Sequence, residues 1–341
     1  MRAVTFVGDG RHVLVERPEP ERPARDAALV EVAAIGICGS DLLILSQPQR
    51  HPATEGIILG HEFAGRVRAV GEEVPHVRPG DRVVIDPARG CGTCPRCVRG
   101  QPEGCPGQVH LGISRDGGMA AVVEVPGWAL LPMTEALSWA RAALNEPLGV
   151  ALAGVGRLAP RAGDSAVVLG GGPIGLLFCA VLHLLGVSPL VVVEPHAFRR
   201  ELARSCRATH VLEPSDADVA GYLRATGASA PPSLVVDATG FLLDRAVDLV
   251  DHGGRILCVG YDASARPAID VARVVDGTIT IQGTAGGFHQ AATAHRLLGD
   301  PRLPVDHLVT HQLPLDAIDE ALAELRAGRA GKIVLVPEQA A

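Results

Sequence analysis

The run Val167-Val168-Leu169-Gly170-Gly171-Gly172-Pro173-Ile174-Gly175 constrains the fold more than any other segment of the chain. A short apolar strand stops at glycine, and a proline-led apolar helix follows. Gly170, Gly172 and Gly175 match the spacing G-x-G-x-x-G. The first glycine permits a tight turn, the second lets a pyrophosphate approach the backbone, and the third lets helix and strand pack closely. The helix that Pro173 and Ile174 open directs its positive end at the phosphates. A chain with 40 glycines produces such spacings by chance, so context decides. Here the context agrees. Val191-Val192-Val193-Glu194 is a second apolar strand, and its acid lies 19 residues after Gly175. A carboxylate there bonds ribose hydroxyls and repels a 2′-phosphate, which favours NAD over NADP. Arg199 lies five residues further on, where a cation softens that preference.

Strand-like runs at Ala166–Leu169, Leu190–Glu194, Leu234–Asp237, Arg255–Gly260 and Thr278–Gln282 alternate with helical stretches. That alternation predicts a doubly wound parallel sheet of α/β class. Residues 1 to about 150 have a different texture, rich in Gly and Pro with short β-branched runs at Leu29–Val32, Arg66–Val70 and Arg82–Ile85. These predict a compact, mainly β unit. The tail carries an amphipathic helix near Ile318–Ala327 and a last strand at Lys332–Val336. The expected division is 1–150 with 295–341 as one domain and 151–294 as the dinucleotide domain.

The net charge of -7, with both signs scattered, argues against a nucleic-acid partner. The most apolar stretch, Ala166 to Val193, is broken by Gly170, Gly171, Gly172, Pro173, Gly186 and Pro189. It therefore reads as strand, turn, helix and strand rather than a membrane span. The N-terminus lacks the apolar core of a signal peptide, so a soluble cytoplasmic protein is expected. Lys332 is the only lysine among 31 basic residues, a bias that reads as compositional and without functional message.

Cys91, Cys94, Cys97 and Cys105 lie within one glycine-rich lobe. Four thiolates so close suit a closed tetrahedral zinc site, which is structural because no coordination position stays open. Cys38, His61, Glu62 and Glu146 are dispersed over three further segments, and spacing alone does not join them. Cys179, Cys206 and Cys258 read as small buried hydrophobes. His110, His183, His252 and His289 read as packing or surface residues, with a pocket role open for His289.

Cys38-Gly39-Ser40-Asp41, Gly60-His61-Glu62, the four-cysteine lobe, Asn145-Glu146-Pro147 and the Gly170–Gly175 turn follow one another in the order of medium-chain zinc dehydrogenases. The chain resembles that family throughout its length, and most of all the sorbitol and threonine dehydrogenase branch. The resemblance implies a GroES-like β-rich catalytic domain beside a Rossmann domain, with zinc in the cleft. It implies Cys38, His61 and Glu62 as catalytic zinc ligands, and Glu146 as a fourth or exchangeable one. It implies a structural zinc at the four cysteines, hence two zinc ions per subunit, and a homotetramer or homodimer. Ser40 would take the substrate's hydroxyl proton. Thr239, Val259, Tyr261 and Thr284 would flank the cofactor.

Two departures stand out. Leu43 occupies the position where relatives often carry a proton-relay histidine, leaving Glu62 or His51 to continue the relay. Met119 replaces a usual Phe. The expected activity is zinc-dependent oxidation of a secondary alcohol on a small polar substrate: a polyol, sugar, aminocyclitol or amino alcohol. The alternatives are L-threonine 3-dehydrogenase, a zinc-independent double-bond reductase and a non-catalytic nucleotide-binding relative.

Overall fold

The computed structural model describes residues 1–134 and 136–338; the last three residues of the expected 295–341 segment lie outside these. Six parallel strands form one sheet in the order His210–Leu212, Leu190–Val193, Ala166–Leu169, Leu234–Asp237, Arg255–Cys258 and Thr280–Gly283. The sequence reading missed His210–Leu212: it has three half-buried residues, too few for a periodic signal. The strand order reverses between Ala166–Leu169 and Leu234–Asp237, which is where such sheets bind ligands beyond their carboxyl ends.

Both faces of this sheet are buried, which explains its continuous apolar strands. Val168, Val192 and Val236 face one core together with Leu176, Leu177 and Phe178 of the helix Pro173–Leu184. Val167, Val191 and Val235 face the other, against Ala246, Val247 and Leu249 of the helix Leu243–Leu249.

The β-rich unit is a sheet ordered Val309–Pro314, Lys332–Val336, Ala27–Gly36, Glu62–Val70, Arg82–Ile85 and Leu130–Pro132, with Val122–Pro126 also paired to Ala27–Gly36. The C-terminal strands thus return to the N-terminal sheet. The helices Asn145–Leu158 and Ala291–Leu298 span the expected boundaries near residues 150 and 294. Leu148, Ala151 and Val155 of the first of these share a core with Val84 of one unit and Val168 of the other. Among the described residues no helix is long and apolar enough to cross a membrane.

Two glycines of the turn differ in what they permit. A Cβ on Gly175 would sit 1.9 Å from the Gly170 carbonyl oxygen, whereas one on Gly172 would meet nothing within 4 Å. Gly175→Ala is therefore expected to destabilise the protein by about 1–3 kcal/mol through overpacking. Gly172→Ala should stay within about 0.5 kcal/mol. Urea unfolding of the two variants distinguishes these outcomes.

Candidate active site

Cys38 precedes the short helix Gly39–Ile44, and its backbone N–H donates to Asp41 Oδ2 at 2.9 Å. His61 stands just before the strand Glu62–Val70, after Gly60 at φ +93°. A Cβ at Gly60 would strike Ile35 and Met119, so only glycine lets the chain turn there against the core. This explains Met119: it is fully buried beneath the His61 turn.

The ligand atoms of Cys38, His61 and Glu62 lie within 4.8 Å of one another. Ser40 Oγ is 3.4 Å from His61 Nε2. On the other edge of the ring, His61 Nδ1 is 4.0 Å from Asp41 Oδ1, and both atoms are buried without a hydrogen-bond partner. Burial works against a charged His61 ring, but Cys38, Asp41 and Glu146 together hold its pKa well above the ordinary value. The pocket therefore attracts positive charge. A thiolate, an imidazole and a carboxylate, with the unpaired Asp41 Oδ1 beyond the ring, form a donor set that fits zinc.

Glu146 lies in the first turn of the helix Asn145–Leu158. Burial is the main force raising its pKa to about 7; Glu62 and Asp86 add to the rise, while His61 and Lys332 oppose it. It thus belongs to the same electrostatic cluster as Cys38, His61 and Glu62.

Sequence reasoning missed Lys332, because no local pattern links it to Glu62, 270 residues away. The residue is 2% exposed and its ammonium has three partners: Glu62 Oε1 at 2.7 Å, Glu62 Oε2 at 2.5 Å and the Ile37 carbonyl at 3.0 Å. Burial disfavours the charge, but Glu62 first, then Cys38 and Glu146, keep the pKa above the usual lysine value. Gly36 makes room, since a Cβ there would lie 2.3 Å from Glu62 Oε2. Glu62 is thus placed among the metal donors while its carboxylate is held by a lysine. Asp41, His110, Asn145 and Asp86 are the other polar groups that spacing did not single out.

Cys91, Cys94, Cys97 and Cys105 also converge, with sulfurs within 4.8 Å. Backbone N–H groups of Thr93 and Cys94 lower the Cys91 pKa to about 6. Despite a bond from Gly92, burial and three neighbouring thiols push Cys97 up to about 12. Opposite shifts in one cluster express the cost of gathering negative charge, which a divalent cation relieves. A Cβ on Gly90 would lie 2.6 Å from Cys97 Sγ. The lobe is tied to the helix Asn145–Leu158 by Glu103 and Arg157 at 2.8 Å.

At the nucleotide turn, Gly170 adopts φ +98° and Gly172 caps the helix led by Pro173 and Ile174. Glu194 is buried; its Oε2 accepts from Gly171 N–H at 2.8 Å and its Oε1 from His196 N–H at 2.9 Å. Thr239 donates to Asp237 Oδ1 at 2.6 Å and lies against Gly170. Val259 and Tyr261 follow the fifth strand, and Thr284 N–H donates to Cys258 O after the sixth. Arg199 differs from its expected role. It remains within electrostatic reach of Glu194, but its Nε and Nη2 donate to the Ala330 and Leu325 carbonyls. Those bonds direct the side chain to the C-terminal segment. Cys206 caps the helix Ala197–Ser205 and is buried, as expected of a small hydrophobe.

Leu43 lies in the short helix after Cys38. The half-buried His51 ring packs edge-on to Tyr261 at 5.6 Å, within electrostatic reach of His61 and Asp41. His289, at φ +63°, is exposed, and it lies within electrostatic reach of Asp86, whose pKa burial raises.

Known proteins resemble this chain over nearly its whole length. Residues 24–135 match the alcohol dehydrogenase GroES-like domain, and residues 173–299 match the zinc-binding dehydrogenase domain. The chain is 32% identical to an L-threonine 3-dehydrogenase of Pyrococcus horikoshii over 95% of its own length and 94% of the relative's. It is 28% identical to a sorbitol dehydrogenase of Bacillus subtilis over 87% and 86%. A Sinorhizobium meliloti structure described as a zinc-binding dehydrogenase bound to NADP superposes with TM-score 0.91 at 28% identity, covering 98% of this chain and 99% of that one. The chain belongs to the zinc-dependent medium-chain alcohol dehydrogenases: it is an oxidoreductase acting on CH–OH groups.

Replacing Lys332 by Met strands the Glu62 carboxylate in a dry interior. Loss of one partner of a buried pair costs about 3–5 kcal/mol. Urea unfolding of the metal-free Lys332→Met protein should show that loss. The double variant with Glu62→Gln should recover part of it.

Proposed function

We propose that this enzyme oxidises a secondary alcohol on a small polar substrate and delivers the hydride to NAD. The observation that carries this reading is the buried convergence of Cys38, Ser40, His61, Glu62 and Glu146. Zinc held by Cys38, His61 and Glu62, with Glu146 exchanging as substrate enters, would supply Lewis-acid polarisation of the substrate oxygen. Ser40 Oγ, beside His61 Nε2, accepts the hydrogen bond of the reacting hydroxyl and receives its proton. His51 is the better next stop toward solvent, because Glu62 is fully enclosed and held by Lys332. Asp41 Oδ1 faces the His61 ring from its far side, 4.0 Å from Nδ1. The lobe of Cys91, Cys94, Cys97 and Cys105 holds a second, structural zinc.

The dinucleotide lies along Gly170, Gly172, Pro173, Ile174 and Gly175, with Thr239, Val259, Tyr261 and Thr284 toward its other parts. NAD is favoured because the Glu194 carboxylate closes the turn and Arg199 is occupied elsewhere. The functional division is 1–150 with 295–341 for catalysis and 151–294 for the cofactor. A homotetramer or homodimer is supported by the edge strand Thr280–Gly283, which is largely exposed, and by exposed Val271 and Val275 beside it. A cytoplasmic setting accords with eight free cysteines.

Metal analysis should return two zinc ions per subunit, and one in Cys38→Ala with turnover lost; full metal with unchanged turnover in that variant would overturn the site. Glu194→Gln, which removes the charge, should lower the preference for NAD over NADP by about tenfold, a change of roughly 1.4 kcal/mol. Paired steady-state assays with both cofactors measure this.

A further inference from the structure

The strands Arg2–Phe6 and His12–Glu16 form a two-stranded sheet of their own against the β-rich unit. The first is largely buried and is bonded along both edges. On one edge the amides of Val4 and Phe6 donate to the Met119 and Ile57 carbonyls, both at 2.9 Å. The other edge carries His12–Glu16, with Thr5 opposite Val13 and Ala3 opposite Val15. Backbone groups alternate from side to side along a strand. Val4 and Phe6 point away from the hairpin partner, so Ala3 and Thr5 point toward it and bond Val15 and Val13. Bonds from Val7 N–H to Arg11 O and from Arg17 N–H to Met1 O fix the same alternation at the two ends.

His12, Leu14 and Glu16 therefore turn their N–H and C=O groups outward, to an edge that no strand covers among the described residues. Beside these groups Val13, Leu14 and Val15 are 39%, 37% and 36% exposed. The strand has no proline, and its pairing shows no bulge. Natural sheets rarely leave such an edge without something that pairs with it.

The strand is its own complement. An antiparallel copy centred on Leu14 sets Leu14 against Leu14, Val13 against Val15 and His12 against Glu16. Every outward N–H then meets an outward C=O, and an imidazole faces a carboxylate at each end. Sliding one copy by two residues sets Glu16 against Gly10, or His12 against Pro18, which has no N–H. Beyond the strand Arg11 would face Arg17, but the Arg17 guanidinium is held by the Gly56 carbonyl at 3.1 Å and by Asp116 at 3.5 Å. A groove of about 270 Å³ adjoins Leu14, with Ala121, Leu315 and Pro337 in its wall, and offers the partner's leucine an apolar seat.

We propose that His12–Glu16 pairs antiparallel with the same strand of a second copy of this chain, about a two-fold axis at Leu14. Such a contact uses one patch on both copies and closes on itself. It is separate from the edge strand Thr280–Gly283, which belongs to the dinucleotide unit. Two distinct two-fold contacts on one chain build a tetramer, and either one without the other builds a dimer. The pairing does not depend on the catalytic reading.

Sedimentation velocity of the zinc-loaded, full-length enzyme tests it against Leu14→Lys, which opposes like charges at the axis. The mass of the assembly should fall to half, with circular dichroism, zinc content and turnover per subunit retained. Leu14→Cys tests the register. Hydrogen-bonded pairs place their Cα atoms about 5.5 Å apart, within the span of a disulfide. Val13 lies opposite Val15, so two copies of Val13 are about 7–8 Å apart, too far to bridge. Mild oxidation should therefore join subunits of Leu14→Cys, but not of wild type or Val13→Cys. Should Leu14→Lys fail to fold, the cross-link decides. A monomeric wild type, a mass that Leu14→Lys leaves unchanged, or cross-linking no greater in Leu14→Cys than in Val13→Cys overturns the pairing.

Discussion

The ion pair between Lys332 and Glu62 is the contact on which the catalytic centre depends. Taking an ammonium and a carboxylate out of water costs several kcal/mol per ion, and a good geometry is needed to offset it. Here all three ammonium donors are used, two by Glu62 and one by the Ile37 carbonyl. The Ile37 bond matters because Cys38 is the next residue. One side chain on the last strand thus positions the loop that carries the thiol and the carboxylate that follows His61. The return of residues 309–336 to the N-terminal sheet is, on this view, a requirement of the site as well as of the core.

A second dependence runs through the helix Asn145–Leu158. Its first turn presents Asn145 and Glu146, while its later turns pack on the parallel sheet. Gly154 is pressed against Phe178 and Leu257, so closely that a Cβ would lie 2.4 Å from the Phe178 ring. The position of Glu146 relative to His61 is therefore set by packing in the dinucleotide unit. Arg157 extends the coupling through Glu103 to the cysteine lobe. Metal donors from one unit and a carboxylate anchored by the other meet only when both cores are formed.

What could be read from the sequence follows from how local each determinant is. The glycine turn, the four-cysteine lobe and the buried strands Ala166–Leu169 and Leu234–Asp237 are short-range patterns, and the observed strands coincide with those expected. Cys38, His61 and Glu146 came together only through resemblance, since no periodicity links residues so far apart. Lys332 lies 270 residues from Glu62, and its solitary occurrence is uninformative until a partner is known. Arg199 illustrates the reverse problem. Its spacing from Glu194 fits a cofactor contact, but the carbonyls of a distant segment capture its guanidinium. Asn145 was read only as part of the Asn145-Glu146-Pro147 segment, because its unpaired amide is a property that sequence does not encode locally.

The charges of the site form one pattern. Around His61, three neighbours that are or become negative raise its affinity for a proton, which is the response of a site arranged for a cation. A bound divalent ion would satisfy that demand and bring Glu146 back toward its charged form. Lys332 is already committed to Glu62, and Arg199 to carbonyls remote from the cleft. The site's demand for positive charge is therefore met by the metal rather than by a further cation of the protein.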